Sequence, residues 1–250
     1  MSDAFVSTSH RITQRDEDGF RNRGAEVTRL EAFLDAAFAF AVTLMVISID
    51  EIPKTSAELL AALKSIPAFG ASFVIIALFW RGHADWSRRY GLNDRYSQRL
   101  GLGLVFLVLI FVYPLRMVFG AFFAWVTDGW LPADLRFATA DDVRFMFIVF
   151  ALAFGSMGTA MFGLHRHAWA RRDAIGLDAA ETLMTRYALL RWSMLPLFSL
   201  ASLALTWSIP EVAAYGWLLG LPGLVFFGLH IVHAILGYRM RRDLARQRAS

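Results

Sequence analysis

The run from Arg29 to Asp50, RLEAFLDAAFAFAVTLMVISID, places a guanidinium (Arg29) and a carboxylate (Asp35) at the head of an otherwise apolar helix. A carboxylate inside such a helix is costly and needs a polar partner or a water-filled path. A second polar set, Trp80, Arg81 and His83, closes the apolar segment from Ser72 to Trp86. If both segments end on the same side of a bilayer, these groups lie at the depth of Arg29 and Asp35. There a carboxylate, an imidazole, an indole N–H and a guanidinium can satisfy one another where water is scarce. Two chemistries fit: a cluster that pins two helices together, or an Asp35–His83 proton relay of a secondary carrier. A lone interfacial His83 fits the spacing equally well.

The rest of this first helix carries a second pattern. At about 100° per residue, Phe33, Ala36, Phe40, Thr43, Leu44 and Ile47 fall on one stripe with Arg29, and Asp35 points away from it. Such a stripe either packs against a neighbouring helix or, if several copies surround an axis, lines a narrow hydrophobic pore with one ring of threonine hydroxyls. Hydrophobic constrictions of that kind gate by dewetting. His230 and His233, three apart in the last apolar segment, make at most half of a metal site. No acidic residue accompanies them there, so no metal is expected. The chain has no HExxH, no Gly-x-Ser-x-Gly and no phosphate-cradling glycine loop, so neither an enzyme nor a cofactor is expected.

The elements that must position these residues are helices. Hydrophobic residues make up 57% of the 250 positions and come in long runs, and a spanning helix needs about 20 mostly apolar residues. Six runs qualify, near 30–50, 57–80, 101–125, 143–164, 187–208 and 212–238. The expected fold is an all-α polytopic membrane bundle of six transmembrane helices over 29–240. Residues 1–28 read as a polar, disordered cytoplasmic tail and 241–250 as a basic cytoplasmic tail. Arginines gather in the N-terminal tail, the second and fourth loops and the C-terminus, which places both termini in the cytoplasm. The net charge of +4 is thus a topology signal; a nucleic-acid partner would need a basic soluble face, and none is expected. Acidic residues (Asp50, Glu51, Asp128, Asp134, Asp141, Asp142, Glu211) fall on the outer side. Arg116, inside the third run, is expected to snorkel outward or to pair with an acid such as Asp128.

Residues 29–49 resemble the first-helix signature of the transmembrane protein 175 family of potassium channels: an arginine, three residues, Phe-Ser-Asp, then a small apolar run with a threonine. Arg29, Phe33 and Asp35 stand at that spacing, and Ala36, Phe38, Ala39, Ala41, Thr43 and Leu44 continue it. Ser72, Phe73, Ile76, Trp80 and His83 are similar to the family's second-helix segment, and Leu104 to Pro114 to a third helix ending in proline. The resemblance implies a homotetrameric potassium channel of the bacterial inner membrane, with the first helices around the pore and no glycine-rich carbonyl filter. It implies Phe40, Leu44 and Ile47 as the apolar pore lining and Thr43 as the hydroxyl associated with potassium preference. Arg29, Phe33, Asp35, Trp80 and His83 become the network joining the first two helices. The chain departs from the pattern at Leu34, where the signature has serine, at Ala84, where many members have a second histidine, and at the bulkier Phe40. A proton-coupled transporter using Asp35 and His83, or a non-conducting membrane scaffold, is the alternative.

Overall fold

Helices begin here where a short polar side chain can close the first turn. At the head of the first helix the Glu31 N–H donates to Thr28 Oγ1 at 3.2 Å, and the Thr28 N–H donates to Glu31 Oε2 at 2.6 Å. This reciprocal box satisfies donors that a helix start leaves orphaned. Asp94 with Ser97, Thr139 with Asp142 and Asp178 with Glu181 repeat it. In a computed structural model describing residues 15–24, 26–47, 53–133, 135, 137, 139–208 and 220–249, with Ile47 described by its backbone alone, the helices are α1 (Arg29–Ile47), α2 (Ser56–Lys64), α3 (Ile66–Tyr90), α4 (Arg95–Val126), α5 (Ala140–Ala170), α6 (Ala179–Ser208), α7 (Leu221–Leu224) and α8 (Phe227–Ala249). No strand is present among the described residues.

Five stretches are long and apolar enough to cross a membrane: α2 with α3, α4, α5, α6, and α7 with α8. α1, with 19 residues, carries Arg29, Glu31 and Asp35 in its first two turns. The expected spans differ from the helices mainly at the ends expected to face the cytoplasm. α4 has 32 residues, about 48 Å at 1.5 Å per residue, well beyond the roughly 30 Å hydrocarbon core. Hydropathy marks only the part of such a helix that is apolar. For the same reason the basic stretch 241–250, read as a tail, is helical through Ala249. Residues 209–219, including most of the outer half of the last expected span, lie outside the described residues, as do Asp50, Glu51, Asp134 and Glu211.

α4 and α5 form the centre, with α6 against α5, α8 against α6, and α1 lying on α4 and α3. Between helices in lipid there is little hydrophobic driving force, so close packing and polar links decide which faces meet. Pro114 and Pro196 sit inside α4 and α6, as neighbouring helices permit at membrane depth.

The polar composition of 1–28 predicts a disordered tail, yet residues 15–24 are held down on the chain. Phe20 is fully buried, edge-on to Tyr90 at 5.5 Å, with the guanidiniums of Arg23 and Arg89 over its ring. Arg21 and Arg23 both converge on Glu181, a fully buried carboxylate, at 3.1 and 2.6 Å. The Arg23 and Gly24 N–H groups donate to the Arg88 carbonyl at 3.0 and 2.9 Å. One aromatic and two arginines suffice to anchor a stretch whose average composition looks disordered. Residues 1–14 lie outside the described residues.

Asp94, capping α4, also accepts from His167 Nε2 at 2.6 Å. Burial pushes its carboxyl up, but hydrogen bonds from Ser97 and His167 outweigh this and hold it at about 2, against an ordinary 3.8. A depressed carboxylate stabilises the fold above its unfolded value and loses that contribution as pH falls through its folded value. Asn keeps the cap but not the charge. The stability gap between the native chain and Asp94→Asn should therefore be constant above about pH 4 and shrink toward pH 2. Acid titration of both proteins by helical circular dichroism checks it, and a gap independent of pH would refute it.

Candidate functional site: the open face of the first helix

α1 has two faces. Leu34, Phe38, Ala41 and Met45, spaced four, three and four apart, are buried in the core against α4 and α3. On the other side Phe33 and Phe40 are 57% and 55% exposed, and Ala36, Ala39 and Thr43 are exposed with them. Leu44 lies at the border, half-buried against the core. The side chain of Ile47 lies outside the described residues. Among the described residues, no helix of the same chain covers the Phe33–Phe40–Thr43 stripe. Thr43 Oγ1 donates its proton to the Ala39 carbonyl at 3.0 Å, which leaves its oxygen free to act as an acceptor.

The residues expected to join α1 and α3 come together only in part. Trp80 Nε1 donates to Asp35 Oδ1 at 2.8 Å, a direct link between the two helices. Asp35 nonetheless sits on the exposed side of α1, whereas the sequence suggested burial. Phe33 is exposed beside it. Arg29 is exposed, and among the described residues nothing pairs it with Asp35. His83 is 6% exposed but makes no hydrogen bond to Asp35 among the described residues. It packs instead toward α4 at Gly101, where an added Cβ would meet Leu34 at 3.2 Å and His83 Nε2 at 3.3 Å. Gly101 thus admits both α1 and α3, and Leu34, where the signature has serine, fills the space with carbon.

Two residues missed from the sequence complete the joint. Ser87 of α3 donates to Glu31 Oε1, so the carboxylate that caps α1 also ties it to α3. The Thr28-x-x-Glu31 spacing was the available signal. Arg116 corrects the expectation that it snorkels outward. It is 7% exposed, and its Nη1 donates to the Met45 carbonyl at 3.0 Å. The last carbonyls of a helix lack intrahelical partners and carry partial negative charge, so the guanidinium grips the C-terminal end of α1. At the far side of the bundle, His233 Nε2 meets the Arg191 carbonyl at 3.2 Å, while His230 lies near the Phe227 ring. Among the described residues no three histidine or acidic side chains gather as a metal site would require.

Comparison with known proteins follows the same division. Residues 29–114 match the family model described as Endosomal/lysosomal potassium channel TMEM175. A protein of Marivirga tractuosa named as a potassium channel is 27% identical over 197 residues, covering 75% of this chain and 77% of its own. In fold, a variant of the potassium channel MtTMEM175, solved in complex with a nanobody–MBP fusion protein, superposes with a TM-score of 0.76. At 22% sequence identity it covers 92% of this chain and all of its own. The chain therefore resembles the TMEM175 family in sequence from α1 to Pro114 and shares the fold of a solved TMEM175 channel over nearly its full length.

Proposed function

We propose that this chain forms a potassium-preferring cation channel of the bacterial inner membrane, a homotetramer with α1 of each copy around the pore. α1 would be the sixth membrane-crossing helix, and both termini would be cytoplasmic. The observation that carries the reading is the uncovered stripe of α1. A helix bearing Arg29, Glu31 and Asp35 is a poor lipid-facing span, and its exposed face offers two phenyl rings and one hydroxyl oxygen whose proton is already committed. Four copies turned inward give a dry constriction at Phe40 and Leu44 with Thr43 between them, a geometry suited to dewetting control and to a few oxygen contacts for a dehydrating cation. Ile47 continues the stripe by position. Arg29, Phe33, Asp35, Trp80 and His83 surround the α1–α3 joint that keeps the face oriented. The Asp35 partner is a non-titrating indole, and this favours a positioning role over the proton relay of a carrier.

The test is potassium against sodium flux into vesicles containing the purified chain, driven by an imposed gradient. Gradient-driven potassium flux that persists in Asp35→Asn, in proportion to the oligomer formed, is expected. Flux that requires a proton gradient and vanishes in Asp35→Asn would make the chain a carrier. No flux of either ion from an intact oligomer would make it a scaffold.

A further inference from the structure

A cavity of about 860 Å³ lies away from α1, walled by α3, α4, α5, α6 and α8. Its size is in the range of ligand clefts, roughly 300–1,000 Å³. Most of its wall is carbon, with Phe119, Phe147, Phe150 and Phe226 deep inside. α3 and α8 flank it without packing extensively on each other, and their outward lining residues Leu78 and Phe227 are 56% and 54% exposed. The cavity thus opens sideways, where the bilayer lies.

One end is basic. Arg81, Arg89 and Arg191 line it. Arg89 is taken by Asp18 at 2.6 Å, and Arg81 is weakly paired with Asp85 at 3.7 Å, both of that pair being exposed. Arg191 has no carboxylate at ion-pair distance among the described residues. It lies within a membrane-length helix, one residue before Trp192, whose ring tilts against Phe79 at 5.8 Å and packs where a Cβ on Gly82 would come within 2.5 Å. That contact sets Arg191 level with Arg81. Of the remaining polar neighbours, His165 and His233 use ring nitrogens on the Met161 and Arg191 carbonyls, Tyr90 donates to Thr185, and His230 also lines the wall. Arg191 is exposed, and an exposed arginine without a carboxylate partner, set within an otherwise apolar helix, suits an anion. The mostly apolar chamber beyond it, walled by Phe119, Phe147, Phe150 and Phe226, suits hydrocarbon.

We propose that the cavity holds an anionic phospholipid of the bilayer, its phosphate at Arg191 and Arg81 and an acyl chain against the phenylalanines. The site is separate from the α1 face and does not depend on the chain conducting ions. Asp85 disfavours a second negative charge on the headgroup, so a singly charged lipid such as phosphatidylglycerol fits best.

The experiment counts phospholipids retained per chain after purification from vesicles of equal phosphatidylglycerol and phosphatidylcholine. Phosphatidylglycerol should be retained preferentially. The preference should fall roughly fivefold for each arginine removed in Arg191→Gln and Arg81→Gln, the weight of one basic residue near an anionic lipid. Arg191→Lys should restore part of it. Gly220→Leu, at a lining position where an added Cβ meets open space, should lower retention of both lipids while leaving the preference intact. Equal retention of the two lipids by the native chain, or a preference unmoved by the arginine variants, would overturn the proposal. The chain has no cysteine, so an inter-chain disulfide in Gly220→Cys would also overturn it, by making a second copy the occupant.

Discussion

Glu181→Ala is expected to destabilise the chain by about 3 kcal/mol, the lower end of the cost of breaking a buried ion pair, because one of the two guanidiniums left behind is partly hydrated. The Glu181 side chain is fully buried, Arg23 is 13% exposed and Arg21 is 34% exposed. Removing the carboxylate leaves two cations facing each other, with the Gly176, Ile175, Arg21 and Arg89 carbonyls and, for Arg21, the Asp178 carboxylate at 3.7 Å as remaining partners. It also removes the side chain that accepts the Asp178 N–H at the head of α6. Asp178 itself is held below the ordinary carboxylate range: burial works against this, and the Glu181 N–H and Arg15 outweigh it. The loss should appear as a lowered unfolding midpoint in detergent and as new protease cleavage within residues 15–24. Glu181→Gln, which keeps the shape and one acceptor, should fall between. A midpoint unchanged in Glu181→Ala, with residues 15–24 still protected, would mean that Phe20, the Asp18–Arg89 pair and the bonds to the Arg88 carbonyl hold this strap without Glu181.

The strap shows where reading a sequence succeeds and where it stops. The helical class follows from hydropathy, because a bilayer leaves few other ways to satisfy a backbone. The Trp80–Asp35 contact was reachable because both residues sit a predictable distance along helices that share an end. Phe20 was not, since one aromatic in a polar run has no period and its partners across the chain, Arg89 and Tyr90, lie 69 and 70 positions away. Arg116 was misread for a related reason. Depth along α4 was legible, but its rotation toward the end of α1, where Arg116 Nη1 donates to the Met45 carbonyl, was not. Ser87 and Glu31 were each ordinary polar residues until α3 and α1 were laid side by side. Which face of α1 stays open likewise required the packing: periodicity defines the stripe, and only the placement of α3 and α4 on the opposite side shows that none of the described residues covers it.

That open stripe carries the second large expected effect. Phe40→Ala removes the bulkiest side chain from the proposed constriction, and potassium flux should rise by roughly tenfold, as a barrier about 1.4 kcal/mol lower would give. Leu44→Ala should act in the same direction but less, because Leu44 is half-buried against the core and its loss is partly a packing defect. Thr43→Val keeps the volume and removes the oxygen, so flux should persist while the potassium-to-sodium ratio falls toward one. These effects separate pore from lipid contact. A phenylalanine facing acyl chains can be truncated with no change in ion flux, whereas one at a dewetted neck cannot. Vesicle flux of both ions, normalised to the amount of oligomer, reads all three variants. Unchanged flux in Phe40→Ala and Leu44→Ala, with the oligomer intact, would turn the stripe away from the axis and leave the exposed rings to lipid.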